Sequence, residues 1–377
     1  MRDFRARLRY LDEVILLLYP PEDLTREDTR PDTRTRPRPT LRTPDRPARP
    51  ITEPVNGHAA AEPAAGRGPV RRDTPYALVP SRFLPRRLVP RSLWLPGRRR
   101  LPSGPGTIEG HLADVLGRPV TVLLHVRPAR RANRKPILEV RTPSGEPLAF
   151  VKVGDTDRSR ALVRHESATL RMLAAAPLST VVAPTVLHHG TWNGLEVLAL
   201  SPLPTSRRRV PASLLERAIA EIATLGSSLP HPAPRHHGTP AHHEPRAAGH
   251  GPWIDLAGGH AWHGDFAPWN VAPGPGGRLL VWDWERFETG VPLGFDALHH
   301  FFQRALKRMS PEVAAAACLA QALPTLAPFG LSAGQARQTA VRYLIALADR
   351  HERDGLQPLG PPERWLAPLV DHQEVIT

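Results

Sequence analysis

The residues best suited to chemistry lie in two short stretches of this 377-residue chain, Trp262-His263-Gly264-Asp265-Phe266-Ala267-Pro268-Trp269-Asn270 and Val281-Trp282-Asp283-Trp284-Glu285. Between them, Val271-Ala272 and Leu280-Val281-Trp282 flank a Gly/Pro run over 273–277, which reads as a hairpin with a loose loop. Pairing Val271 with Trp282 sets Asn270 opposite Asp283 at the open end, and the loop entering the hairpin presents Asp265 to the same point. Two carboxylates and one carboxamide then converge, all of them oxygen ligands. That set suits Mg2+, which prefers hard oxygen donors and keeps its other positions for water or phosphate oxygens. Asp and Asn are common at strand ends for turn chemistry alone, so no single one of these residues is informative. The combination at this spacing, in an apolar aromatic setting, is.

A second constellation precedes it. Only Lys135, Lys152 and Lys307 are lysine among the 50 basic residues, so a function that needs an ammonium group has three candidates. In Leu148-Ala149-Phe150-Val151-Lys152-Val153, strand alternation puts Lys152 on the face of Leu148 and Phe150. The spacing that follows predicts a helix from about Asp157 to Ala175 with Leu162, Glu166, Leu170 and Leu173 on one stripe. Glu166 is thus a carboxylate on an inward, apolar face. It needs a partner there, because a buried unpaired charge costs several kcal/mol or is neutralised. Lys152 is the obvious one.

WHGDFAPWNV, followed thirteen residues after its Asn by the Asp of DWE, resembles the aminoglycoside phosphotransferase and choline kinase family of small-molecule kinases. The match is specific over residues 262–302, including Gly290 and Asp296 in DWERFETGVPLGFDALHHF; over about 115–370 it holds only as an order of elements, and it does not cover 1–110. The resemblance implies an α+β, two-lobed protein-kinase-like fold, with ATP or another nucleoside triphosphate and Mg2+ as cofactors. It implies a hydroxyl-bearing small molecule as acceptor. Lys152 would grip the nucleotide's phosphates with Glu166 orienting it, Asp265 would orient the acceptor hydroxyl and take its proton, and Asn270 and Asp283 would hold the metal. His263 is expected to pack within the loop, Gly264 to let the backbone turn, and Asp296 to cap the next helix and tie the loop down. Glu285 is left between substrate, metal and surface. One departure stands out: the turn over 127–136 that should cover the phosphates has no glycine and four arginines. It keeps open a second reading, a nucleotide-binding pseudokinase without transfer activity.

The elements that must position these residues follow from pattern. Val120–Val126, Ile137–Val140, Leu148–Val153, Val181–His189 and Leu195–Leu200 read as strands around the one helix. After the Ser201–Pro204 strap the character turns helical. Leu215, Ile219, Ile222 and Leu225 form one stripe; Ser310-Pro311-Glu312 opens a helix; and Ser332 with Gln335 forms a capping box for another that stops at Gly355. The organisation expected is a mostly disordered Arg/Pro-rich tail over 1–75, an extended basic arm over 76–110, a small β-rich lobe over 111–204 and a larger helical lobe over 205–377. Within the tail, Leu8, Leu11, Ile15 and Leu18 have helical spacing.

The net charge of +14 points toward nucleic acid or another anionic polymer until it is divided along the chain. Residues 1–100 hold 22 basic and 12 acidic side chains, so the excess is mainly the tail's. A tail that binds anionic polymers is therefore a third reading, and few aromatics are interleaved with the arginines to make a nucleic-acid stacking platform. Cys318 is the only cysteine, which excludes an intrachain disulfide or a thiolate-rich zinc site and fits a reducing cytoplasm. The apolar run Val14–Tyr19 is too short for a membrane span. The eight histidines between His231 and His263 read as a flexible insertion rather than a metal site. No partner protein is implied.

Overall fold

The computed structural model describes residues 2–20, 71–78, 95–102, 104, 106–126, 135–206, 208–228, 259–355 and 359–366. The expected disorder over most of the tail, the first eight residues (127–134) of the glycine-free turn over 127–136 and most of the histidine-rich insertion lie outside the described residues.

Helix α1 (Arg2–Leu18) opens the chain, followed by strands β1 (Arg71–Leu78) and β2 (Leu95–Pro102) and helix α2 (Ile108–Leu116). Strands β3 (Thr121–Val126), β4 (Ile137–Arg141) and β5 (Pro147–Gly154) lead into helix α3 (Asp157–Ala175), then β6 (Val181–Val182), β7 (Val186–Trp192) and β8 (Leu195–Leu200). A seven-stranded sheet in the order β2-β1-β3-β4-β5-β8-β7 results, antiparallel except where β1 runs parallel to β3. Its alternation sorts two cores. Ala149 and Val151 of β5 with Val197 and Ala199 of β8 pack toward α1 and α2, whereas Leu198 and Leu200 pack with α3 and the large lobe. Helix α3 starts at a reciprocal capping box between Thr156 and Ser159.

Two differences from the sequence reading have physical causes. The single strand expected over 181–189 is two, broken before Pro184, which has no N–H to give a ladder. Strand β6 leaves the main sheet and pairs with a large-lobe strand, so it stitches the lobes together. The second is that the segment with helical spacing at the start of the expected tail, and parts of the tail and arm, join the small-lobe core and sheet. Helix α1 buries Tyr10, Leu11, Val14 and Leu18 in the small-lobe core, and the segments over 71–78 and 95–102 form an edge hairpin of the sheet. Burying those side chains is worth about 1.5–3 kcal/mol each before ordering costs, which favours docking the helix on this core.

The large lobe contains α4 (Ala212–Ser228), the short strands β9 (His260–Trp262), β10 (Val271–Pro273), β11 (Leu279–Val281) and β12 (Glu288–Val291), and helices α5 (Phe295–Ala305), α6 (Pro311–Ala320), α7 (Ala322–Leu326) and α8 (Ala333–Arg353). The Ser332/Gln335 capping box at the start of α8 is present with both reciprocal bonds. No single helix among the described residues is long and apolar enough to cross a membrane.

Candidate active site

Strand β5 carries Lys152 to the face that α3 covers, and the α3 stripe delivers Glu166, which is fully buried. Lys152 Nζ lies 2.8 and 2.6 Å from the two Glu166 oxygens and 2.5 Å from Asp283 Oδ1. Glu285 Oε2 is 3.7 Å from the same ammonium and 2.5 Å from Lys135 Nζ. Glu285 is therefore buried and paired, which removes the surface alternative. Burial works against the Lys152 ammonium, but Asp283, Glu166 and Glu285 outweigh it and raise its pKa. Burial, with Asp283 and Glu285 beside it, pushes Glu166 up against the pull of Lys152. The Trp284 N–H also donates to Glu166 Oε1 at 3.2 Å, fixing the DWE segment to α3.

The hairpin differs from its expected register by one residue. Val271 pairs with Val281, so Asn270 lies opposite Trp282, whose N–H donates to the Asn270 carbonyl at 3.1 Å. Two buried β-branched residues become direct partners, and Gly276 and Gly277, both left-handed, close the loop. Asp283 is then placed by a sharp turn rather than by pairing: its φ is 72°, the left-handed region that Asp tolerates better than most non-glycine residues.

The loop over 263–270 is held from several sides. Asn270 Nδ2 donates to the Asp265 carbonyl at 2.9 Å and to Asp265 Oδ2 at 3.0 Å. These donations fix the amide's orientation and leave its oxygen as the ligand atom. The sequence expectations thus come together as two groups, Lys152–Glu166–Asp283 and Asp265–Asn270, rather than with Asn270 directly against Asp283. His263 is buried, accepts the Asp265 N–H on Nδ1 at 3.1 Å and meets the Trp282 carbonyl through Nε2 at 3.2 Å. Burial lowers it to about 4, so it is neutral and structural. Gly264 sits at φ 79°, and a Cβ there would overlap the Arg286 carbonyl oxygen. Asp296 does not cap α5, whose N-cap is Gly294; it accepts the backbone N–H of His263 at 2.7 Å and of Gly264 at 3.3 Å. Burial raises Asp296 to about 7 against those two donors.

Three contributors were not anticipated. His299 Nε2 is 3.0 Å from Asp265 Oδ1, and His299 Nδ1 is 3.0 Å from the Tyr343 hydroxyl. Arg350 donates to the Gly264 carbonyl and lies 5.4 Å above the Trp262 ring. Burial favours protonating Asp265, but the hydrogen bond from His299 and the nearby Arg350 charge hold its pKa below the ordinary value. The signal was present in the sequence: Phe295, Leu298, His299 and Phe302 form an i, i+3, i+4, i+7 stripe, which puts a histidine on the buried face.

Oxygens of Glu166, Asp283 and Glu285 all lie within 4.8 Å of one another. Hard oxygen donors in that number, with the Asn270 carboxamide on the adjoining loop, fit a Mg2+ ion.

A sheet-bearing lobe and a larger helical lobe meet at this site, in a mixed α+β architecture. No family model matches the chain, and no curated protein matches it. Among solved structures it is similar to a protein described as a fructosamine-3-kinase from Haemophilus somnus 129PT (13% identity over 63% of this chain and 96% of that one, TM-score 0.32). It is also similar to an aminoglycoside phosphotransferase from Alicyclobacillus acidocaldarius (11%, 58% and 87%, TM-score 0.30). A third is the PknI kinase domain of Mycobacterium tuberculosis (12%, 59% and 94%, TM-score 0.29). Likenesses this distant carry no assignment of family or activity.

Proposed function

We propose that this chain is a phosphotransferase that moves the γ-phosphoryl group of ATP, or of another nucleoside triphosphate, to a hydroxyl of a small molecule in the cytoplasm. Lys152, held by Glu166, binds phosphate oxygens. Asp283 and Asn270 would hold Mg2+, with a Glu285 oxygen within 4.8 Å of Asp283. The ion, when bound, offsets charge on the phosphate oxygens. Asp265 orients the acceptor hydroxyl through the carboxylate oxygen it shares with Asn270. It takes the hydroxyl proton as the acceptor oxygen bonds to phosphorus and the nucleoside diphosphate leaves with the bridging oxygen's electrons. Positioning and charge stabilisation account for most of such catalysis.

The observation that carries this reading is the meeting of Lys152 and Glu166 with Asp283, 131 residues from Lys152 in sequence, beside a loop that presents a carboxylate and a carboxamide five residues apart. The test is incubation with Mg2+ and ATP across a panel of hydroxyl metabolites, read by mass spectrometry. A phosphorylated product from at least one acceptor is expected. Mg-dependent nucleotide binding with no product across the panel would favour the pseudokinase reading, to which the ion pair between Lys152 and Asp283 gives some support.

A further inference from the structure

Resting on that reading, we propose that His299, backed by Tyr343, is a positioning residue that locks the Asp265 carboxylate and commits its other oxygen to the acceptor's proton. The directions of the hydrogen bonds carry the argument. A carboxylate only accepts, so the His299 nitrogen facing Asp265 Oδ1 at 3.0 Å is the one that bears hydrogen. At the other ring nitrogen, 3.0 Å away, the Tyr343 hydroxyl donates to Nδ1. A neutral imidazole with hydrogen on Nε2 satisfies both contacts. His299 and Tyr343 are each fully buried, which disfavours the imidazolium and the phenolate alike. The His299 ring is flanked edge-on by Trp262 and Tyr343, with centroids 6.3 and 6.0 Å away, so it has little freedom to turn.

The helices explain why this pair is rigid. Asp296 and His299, one turn apart on α5, reach the loop's backbone and the Asp265 side chain respectively. Tyr343 and Arg350, two turns apart on α8, reach His299 and the Gly264 carbonyl. Each helix therefore grips the loop, directly or through His299, at two points. With Oδ1 held by His299 and Oδ2 touching Asn270 at 3.0 Å, the carboxylate cannot rotate without breaking both contacts. Oδ2 is then the oxygen that receives the proton.

Two measurements test this. The first is the nitrogen-15 imidazole spectrum of the full chain, which does not depend on activity. Hydrogen on Nε2 with bare Nδ1 is expected, and the Nε2 signal should move in Asp265→Asn; hydrogen on Nδ1, or an imidazolium, would overturn the proposal. The second is Mg-ATP turnover with water as the acceptor. His299→Leu should lower kcat about 10–100-fold with the KM for ATP within about twofold, the range seen when an orienting partner of a functional group is removed. His299→Gln, whose amide N–H reaches the Nε2 position, should recover about tenfold of that loss. A folded His299→Leu protein with wild-type kcat, while Asp265→Asn is inactive, overturns the positioning role alone. Undiminished turnover in Asp265→Asn instead overturns the reading of the base on which the proposal rests.

Discussion

On the small-lobe side of the site, carboxylates are held by charge: Lys152 carries Glu166 and Asp283, and Lys135 carries Glu285, in a buried cluster of three acids and two ammonium groups. On the large-lobe side they are held mainly by neutral donors. Asp265 takes a histidine N–H and an amide, and Asp296 takes two backbone N–H groups. A charge cluster can exchange partners when a polyanion and a cation arrive, because each ion pair has a replacement. A carboxylate fixed by neutral hydrogen bonds keeps its geometry throughout. On the proposed function, the side that would bind a changing charge is rearrangeable, and the side that would aim a proton acceptor is preorganised.

Lys152→Met should break this contrast most severely. Removing one partner of a buried pair costs about 3–5 kcal/mol, and here it leaves Glu166, Asp283 and Glu285 crowded together. Urea denaturation should show a loss of that size with nucleotide binding abolished; a loss below about 1 kcal/mol would mean that the cluster is not sustained by charge. On the other side, Gly264→Ala should cost about 1–3 kcal/mol, the range for enforced backbone strain. Its Cβ meets a backbone carbonyl that cannot swing away, so a thermal melt equal to wild type would contradict the loop geometry.

The smallest effect concerns pH. Burial lowers His263, His300 and His351 to about 4 from an ordinary 6.5. The unfolded chain takes up those protons first, so their contribution is complete above about 6.5 and is lost as pH falls toward 4. Asp296 and Glu166, raised by burial, act in the opposite sense and lose their contribution as pH rises toward about 7. Three histidines outnumber two acids, so stability should decline on acidification from about 6.5. His351→Gln should flatten that decline by about 1 kcal/mol or more; an unchanged slope would contradict its neutral burial.

The two sides were not equally legible in the sequence. Lys152 and Glu166 each sit in a long element of fixed period, and strand alternation and the helix stripe aim them at one another before any coordinates are known. The rarity of lysine sharpened the choice. The hairpin register was less accessible, because a Gly/Pro loop of uncertain length separates strands of three residues, and a shift of one residue reverses which side chains face each other. Pro184 was visible, but the parallel pairing of β6 with β11 is a contact across about a hundred residues that no local pattern encodes. His299 and Arg350 stayed hidden for a similar reason. Each lies on a helix stripe, yet their partner is a loop tens of residues away.

The role of Asp265 is measured most directly by phosphoryl transfer from Mg-ATP to the acceptor found in the metabolite panel, by wild type and by Asp265→Asn, with thermal melts run in parallel. Asparagine nearly preserves the shape of the side chain and removes its ability to take a proton. A folded protein whose transfer rate falls by about 10²–10⁴-fold, the contribution of a general base, is expected. A folded Asp265→Asn protein that transfers phosphate at the wild-type rate would contradict that role.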